Sequence, residues 1–145
     1  MIAVDTNVLV HAHRRDASEN ARAGPLIREL AESGRRWAIP WPCVHEFIGV
    51  VTHPRLFPYP ASVSTAAEQV DAWLESPGLS LIAETGATWP LVRSTLVDGR
   101  TVGPRVHDAK IAAICLAHGV TELWTADRDF SRFPGLRARN PLVST

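Results

Sequence analysis

The sequence predicts an α/β fold of three layers, α/β/α, in which a parallel sheet of four to five short strands lies between helices. Three observations lead there. Short apolar runs at 2–4, 37–40, 79–83 and 122–125 read as strands. Segments with helical spacing of apolar residues separate them, and strands alternating with helices favour parallel pairing with helices on both faces. The length of 145 residues fits one domain covering 1–145, which can bury roughly two-thirds of the surface of its unfolded chain.

In chain order, residues 2–4 form a buried strand that ends at Asp5, and Thr6 or Asn7 is placed to cap a helix starting near Val8. Asp5 is at this point either part of that cap or a site residue at the sheet's carboxyl edge, where open α/β sheets bind ligands. Ser18 is expected to cap a second helix running to Glu32, because Ala23, Leu26, Ile27 and Leu30 follow amphipathic spacing; Gly34 stops it. After the strand at 37–40, Pro42 suits the first position of a helix to about Val51, with Glu46 in or near its first turn. Three prolines between His53 and Pro60 predict an extended connection. A helix follows from Ser62 or Ser64 to about Ser76. The strand at 79–83 leads into a helix at 87–97, and the turn at 98–100 into a nearly continuously apolar helix at 106–118, expected to be buried and stopped by Gly119. The strand at 122–125 and a short fifth one at 136–139 complete the sheet.

Composition narrows the function. The formal net charge is zero, so no global basic field draws the chain onto nucleic acid. Lys110 is the only lysine, so fourteen of the fifteen basic residues are arginine. Cys43 and Cys115 lie far apart in apolar surroundings without metal-ligand spacing, as expected of reduced structural thiols. No apolar run approaches the ~18 residues of a membrane span and no signal-peptide pattern opens the chain, so the expectation is a cytoplasmic protein without a membrane partner. His11 and His13 point to different faces of a helix, and His45-Glu46 does not extend into HExxH because Gly49 occupies the second His place, so no zinc site is expected.

Four acidic positions are the strongest functional signal. Right-handed crossovers return each helix from the carboxyl edge of the sheet, so strand ends and helix starts share one rim. Asp5, Glu46, Asp108 and Asp127 all fall on it, with Asp129 close behind, facing either pocket or solvent. Each alone is an ordinary cap, dipole partner or turn residue. Together they would repel and raise one another's pKa unless a cation sits among them. Ligands that are all oxygen point to Mg²⁺ or Mn²⁺, and such a centre supports phosphodiester hydrolysis.

The segments Val4-Asp5-Thr6-Asn7, His45-Glu46, Val106-His107-Asp108-Ala109 and Thr125-Ala126-Asp127-Arg128-Asp129-Phe130 resemble, in order and spacing, the acidic motifs of the PIN-domain family. The resemblance covers essentially the whole chain, and its length resembles that of the VapC toxins of bacterial toxin–antitoxin pairs. It implies a metal-dependent endoribonuclease, usually dimeric, that acts on transfer, ribosomal or messenger RNA and is held inactive by a VapB-like antitoxin. Asp5 and Asp108 would then be the principal metal ligands. Glu46 would bind a second metal or orient water, and Asp127, or else Asp129, would complete the pocket. Thr6, Asn7 and Thr125 would support these carboxylates or the helix behind them.

Arg105, Arg128 and Arg132 lie near the rim and are candidates for RNA phosphate contact, and Trp41 for stacking on a base. The other tryptophans are expected in the core. Two rivals differ in class. A haloacid-dehalogenase-like phosphatase also places Asp after its first strand, but here Asn7 occupies the place of its second acid. A non-catalytic RNA-binding or partner-binding domain would have no reason to keep four crowded carboxylates.

Overall fold

The computed structural model describes residues 1–143. Its order is β1 Ile2–Val4, α1 Thr6–His13, α2 Asn20–Glu32, β2 Trp37–Pro40, α3 Trp41–Val51, α4 Val63–Leu74, β3 Leu79–Ile82, α5 Trp89–Asp98, α6 Arg105–Ala117, β4 Glu122–Trp124 and β5 Arg137–Arg139. Two 3-10 turns, Gly86–Thr88 and Arg128–Arg132, precede α5 and β5.

All five strands are parallel, in the order β3-β2-β1-β4-β5. The chain winds outward from β1 to β3, then returns to place β4 on the free side of β1. That reversal is a topological switch point, where a crevice opens at the carboxyl ends of the strands. Val4 is level with Trp124, so Asp5 and Thr125 leave β1 and β4 side by side. Helices α1 to α4 pack in one group and α5 with α6 in another, as right-handed crossovers require when winding direction reverses.

The core follows the apolar pattern. Val4, Ile39 and Leu123 on the strands are fully buried, and α6 buries Ile111 to Cys115 without interruption. Glycine is needed where α6 ends, because Gly119 has φ +74°. Ser62, not Ser64, caps α4, accepting from the Thr65 N–H at 3.1 Å.

Several boundaries differ from expectation for local reasons. Helix α1 starts at Thr6 because Asp5 itself is the cap: its Oδ1 accepts from the Thr6 N–H at 2.8 Å, and Thr6 and Asn7 are already helical. Ser18 does not cap α2. That helix starts at Asn20, whose side-chain amide donates to the carbonyls of His11 and Ala12 and so ties α2 to the end of α1. Helix α3 starts at Trp41, with Pro42 in its first turn, so Glu46 lies in the second turn. Trp37, Trp73 and Trp124 are buried as expected, but Trp89 is 57% exposed at the start of α5.

Candidate acidic pocket at the carboxyl edge

Asp5 is buried at the junction of β1 and α1, and four donors reach its carboxylate. Oδ1 accepts from the Thr6 N–H at 2.8 Å and from the Cys43 thiol at 3.4 Å. Oδ2 accepts from the Thr125 hydroxyl at 2.7 Å and the Asn7 amide at 3.2 Å. Burial nevertheless raises the Asp5 pKa above the ordinary 3.8; the hydrogen bonds from Thr125, Thr6 and Cys43 oppose the rise, and nearby Glu46 adds to it. Both cysteines are free and buried. Burial, then Asp5, pushes the Cys43 thiol well above its usual range and the Cys115 thiol up to about 12. Cys43 is therefore a protonated donor at neutral pH.

The same bonds stitch β4 to α1. Asn7 donates to Thr125 Oγ1 at 3.2 Å, and its Oδ1 accepts from the Ala126 N–H at 2.9 Å. Thr125 Oγ1 also accepts from the Asp127 N–H at 3.0 Å. Asp127 then caps the 3-10 turn, accepting from the Asp129 N–H at 2.9 Å. This turn brings the Asp127 and Asp129 carboxylates to one side.

Across from them, Asp108 lies in the first turn of α6. Asp108, Asp127 and Asp129 each offer an oxygen within 4.8 Å of the others. The Asp108 pKa is raised, first by burial, then by Asp127, Asp5 and Asp129, with His107 opposing. A pocket of about 260 Å³ is lined by Asp5, Asn7, Glu46, His107, Asp108 and Asp127, among others. Glu46 Oε2 meets His107 Nε2 at 3.0 Å, joining α3 to α6 over the rim.

The residues fit a hard divalent cation. The donors of the cluster are all oxygen, and the Asp108 carboxyl is raised first by burial and then by the neighbouring carboxylates, which a bound cation would offset. Among the described residues this is the one such cluster, and it contains no histidine.

The structure thus gathers Asp5, Glu46, Asp108 and Asp127 around one pocket, and places Asp129 with Asp108 and Asp127 in the tightest group. Asp5 and Glu46 stand outside that group of three. Asn7 and Thr125 hold Asp5, and Thr6 does so through its backbone. Arg105 and Arg132 line two cavities that share Asp108 and Asp129, whereas Arg128 is in the lining of neither these two nor the acidic pocket. Trp41 is 39% exposed and packs against His45, the rings tilted with centroids 5.7 Å apart, and is not part of the pocket lining. Sequence reasoning missed the Cys43 thiol on Asp5 and the His107 contact with Glu46. The adjacency of His107 to Asp108 hinted at the second; nothing local signalled the first.

Residues 2–136 match the family described as the PIN domain. Ribonuclease VapC43 of Mycobacterium tuberculosis is 38% identical over 142 residues, covering 98% of this chain and 96% of that protein. Ribonuclease VapC48 of the same organism is 33% identical over 138 residues, covering 94% of each. Among solved structures, VapBC2 from Rickettsia felis, bound to a DNA fragment from its promoter, has a TM-score of 0.66 at 20% identity, covering 96% of this chain and 98% of that one. Mycobacterium tuberculosis VapC20, a sarcin-ricin loop cleaving toxin, has a TM-score of 0.65 at 19% identity, covering 94% of this chain and 99% of that one. These two structures speak to the fold alone.

Proposed function

The chain belongs to the PIN-domain family, and from that premise we propose that it is a metal-dependent endoribonuclease, the toxin of a VapBC-type toxin–antitoxin pair. The observation that carries the reading is the convergence of Asp108, Asp127 and Asp129 within 4.8 Å beside the buried Asp5. The relatives that cover nearly the whole chain are named as ribonucleases, which supports the same activity here.

Asp108, Asp127 and Asp129 would hold Mg²⁺ or Mn²⁺, with Asp5 supplying a fixed carboxylate beside them in the same pocket. When bound, the cation lends Lewis acidity to the scissile phosphodiester and offsets the charge that develops there. Glu46 orients water or takes a second cation, with His107 setting where its carboxylate points. Asn7 and Thr125 keep the β1 and β4 sides of the pocket in register. Arg105 and Arg132 meet RNA phosphates, contacts that position a substrate without reading its sequence. Transfer, ribosomal and messenger RNA are the substrate candidates.

A VapB-like antitoxin and a second copy of the chain are the proposed partners. No helix among the described residues is long and apolar enough to cross a membrane, and the proposed setting is the cytoplasm.

The deciding experiment is cleavage of total RNA by the purified chain, in EDTA and after Mg²⁺ or Mn²⁺ is restored. The expected result is cleavage only with the cation. Equal cleavage in EDTA contradicts the metal reading, and phosphate release from a chromogenic monoester without RNA cleavage replaces it with a phosphatase.

A further inference from the structure

Beside the acidic pocket a second cleft of about 380 Å³ opens between α5, α6 and the segment after the Arg128–Arg132 turn. It shares Asp108 with the acidic pocket and reaches the carboxylate cluster through Asp129. Leu91, Leu116 and Phe133 provide its apolar surface. Arg105 and Arg132 contribute two guanidinium groups, and Asp98 a carboxylate from the end of α5. None of these three charged side chains makes a hydrogen bond or ion pair among the described residues.

An apolar slot next to unpaired cations matches a nucleotide in outline, with a flat base and a phosphate at its edge. Bases of single-stranded RNA are commonly splayed out and held by their faces while their edges are hydrogen-bonded. The volume lies within the range of small-ligand pockets. An ionised carboxylate only accepts. Guanine is the one RNA base with two neighbouring donors, N1–H and N2–H, on its Watson–Crick edge, so Asp98 selects for it.

We infer that this cleft is a nucleobase subsite that seats an unpaired guanine beside the phosphodiester cleaved over the acidic pocket, with Asp98 reading the base. The inference rests on the ribonuclease reading above. Seating one base in the α5–α6 cleft fixes which phosphate reaches Asp108, so cleavage acquires a sequence preference from residues outside the metal cluster.

The test uses oligoribonucleotides that differ only in the base at each position around the cut. Cleavage is followed in Mg²⁺, and binding is followed by fluorescence anisotropy of labelled hexamers in EDTA. The wild-type chain is expected to favour guanine at one position flanking the cut. Asp98→Asn should lower the ratio of guanine to adenine cleavage at that position about tenfold, the scale of a lost bidentate base contact. Asp98 is exposed, so the change does not threaten folding. Leu91→Trp, which fills the cleft, should weaken hexamer binding in EDTA. An unchanged base profile in Asp98→Asn overturns the inference, as does a variant that alters only antitoxin binding, which would assign the cleft to the protein partner. Guanine-selective binding that Asp98→Asn abolishes, found without cleavage by the wild type, would keep the subsite and refute the ribonuclease reading instead.

Discussion

The two walls of the acidic pocket are built differently. On the β1 side, Asp5 is buried and its carboxylate accepts from four protein donors. On the α6 and β4 side, Asp108, Asp127 and Asp129 crowd within 4.8 Å of one another, and among the described residues the one donor reaching their side chains is the Asp129 N–H on Asp127. The fold has satisfied the first wall internally and left the second short of positive charge. A carboxylate saturated by the protein serves as structure and fixed field, whereas carboxylates left facing each other are available to an external cation.

The largest expected effect separates activity from stability. Asp108→Asn should reduce RNA cleavage by about 10²–10³, the scale of removing a principal electrostatic group. It should leave the Tm of the metal-free protein equal or higher, because a repelling charge is gone. Asp5→Asn should also reduce cleavage, but with a lower Tm, since its new amide would face the Thr125 and Asn7 donors. Equal loss of Tm in both variants would mean that the walls do not differ.

Thr125→Val probes the saturated wall by itself. It removes the 2.7 Å bond to Asp5 and the acceptor of the Asp127 N–H. The expected cost is about 1–3 kcal/mol, measurable by denaturant unfolding, and Asp5 should titrate higher still.

A pH series in EDTA should show what burying carboxylates on both walls costs. Asp5 and Asp108 both have folded pKa values above 3.8. The folded state therefore binds more protons than the unfolded chain between 3.8 and those raised values. Their contribution to stability is present in full below 3.8 and is lost as pH rises through the folded values. Asp108→Asn should flatten that loss; an unchanged profile would show that neither burial nor crowding of Asp108 costs stability. The smallest effect is expected for His107→Ala. Its contact with Glu46 joins side chains 41% and 45% exposed, so stability should change by less than ~1 kcal/mol, while cleavage falls because Glu46 loses its orientation.

Much of this pocket is legible in the sequence, because strand ends and helix starts must share a rim in a parallel sheet. That places Asp5, Glu46, Asp108 and Asp127 together without coordinates. Three details are not legible, for physical reasons. Helix α1 starts at Thr6 and not near Val8, because the Asp5 side chain, one of the caps the sequence allowed, already accepts from the Thr6 N–H. Asp127 and Asp129 join the same cluster because a 3-10 turn, too short to show periodicity, directs both carboxylates one way. The Glu46–His107 contact spans 61 positions and depends on how α3 and α6 face each other across the rim. Trp89 shows the limit of hydrophobicity as a guide, since it opens a helix yet lies exposed.

The difference between the two walls is tested most directly by calorimetric titration of Mn²⁺ into the metal-free wild type, Asp108→Asn and Thr125→Val. The predicted result is binding by the wild type, none detectable in Asp108→Asn, and binding largely retained in Thr125→Val. Wild-type affinity in Asp108→Asn would contradict the account.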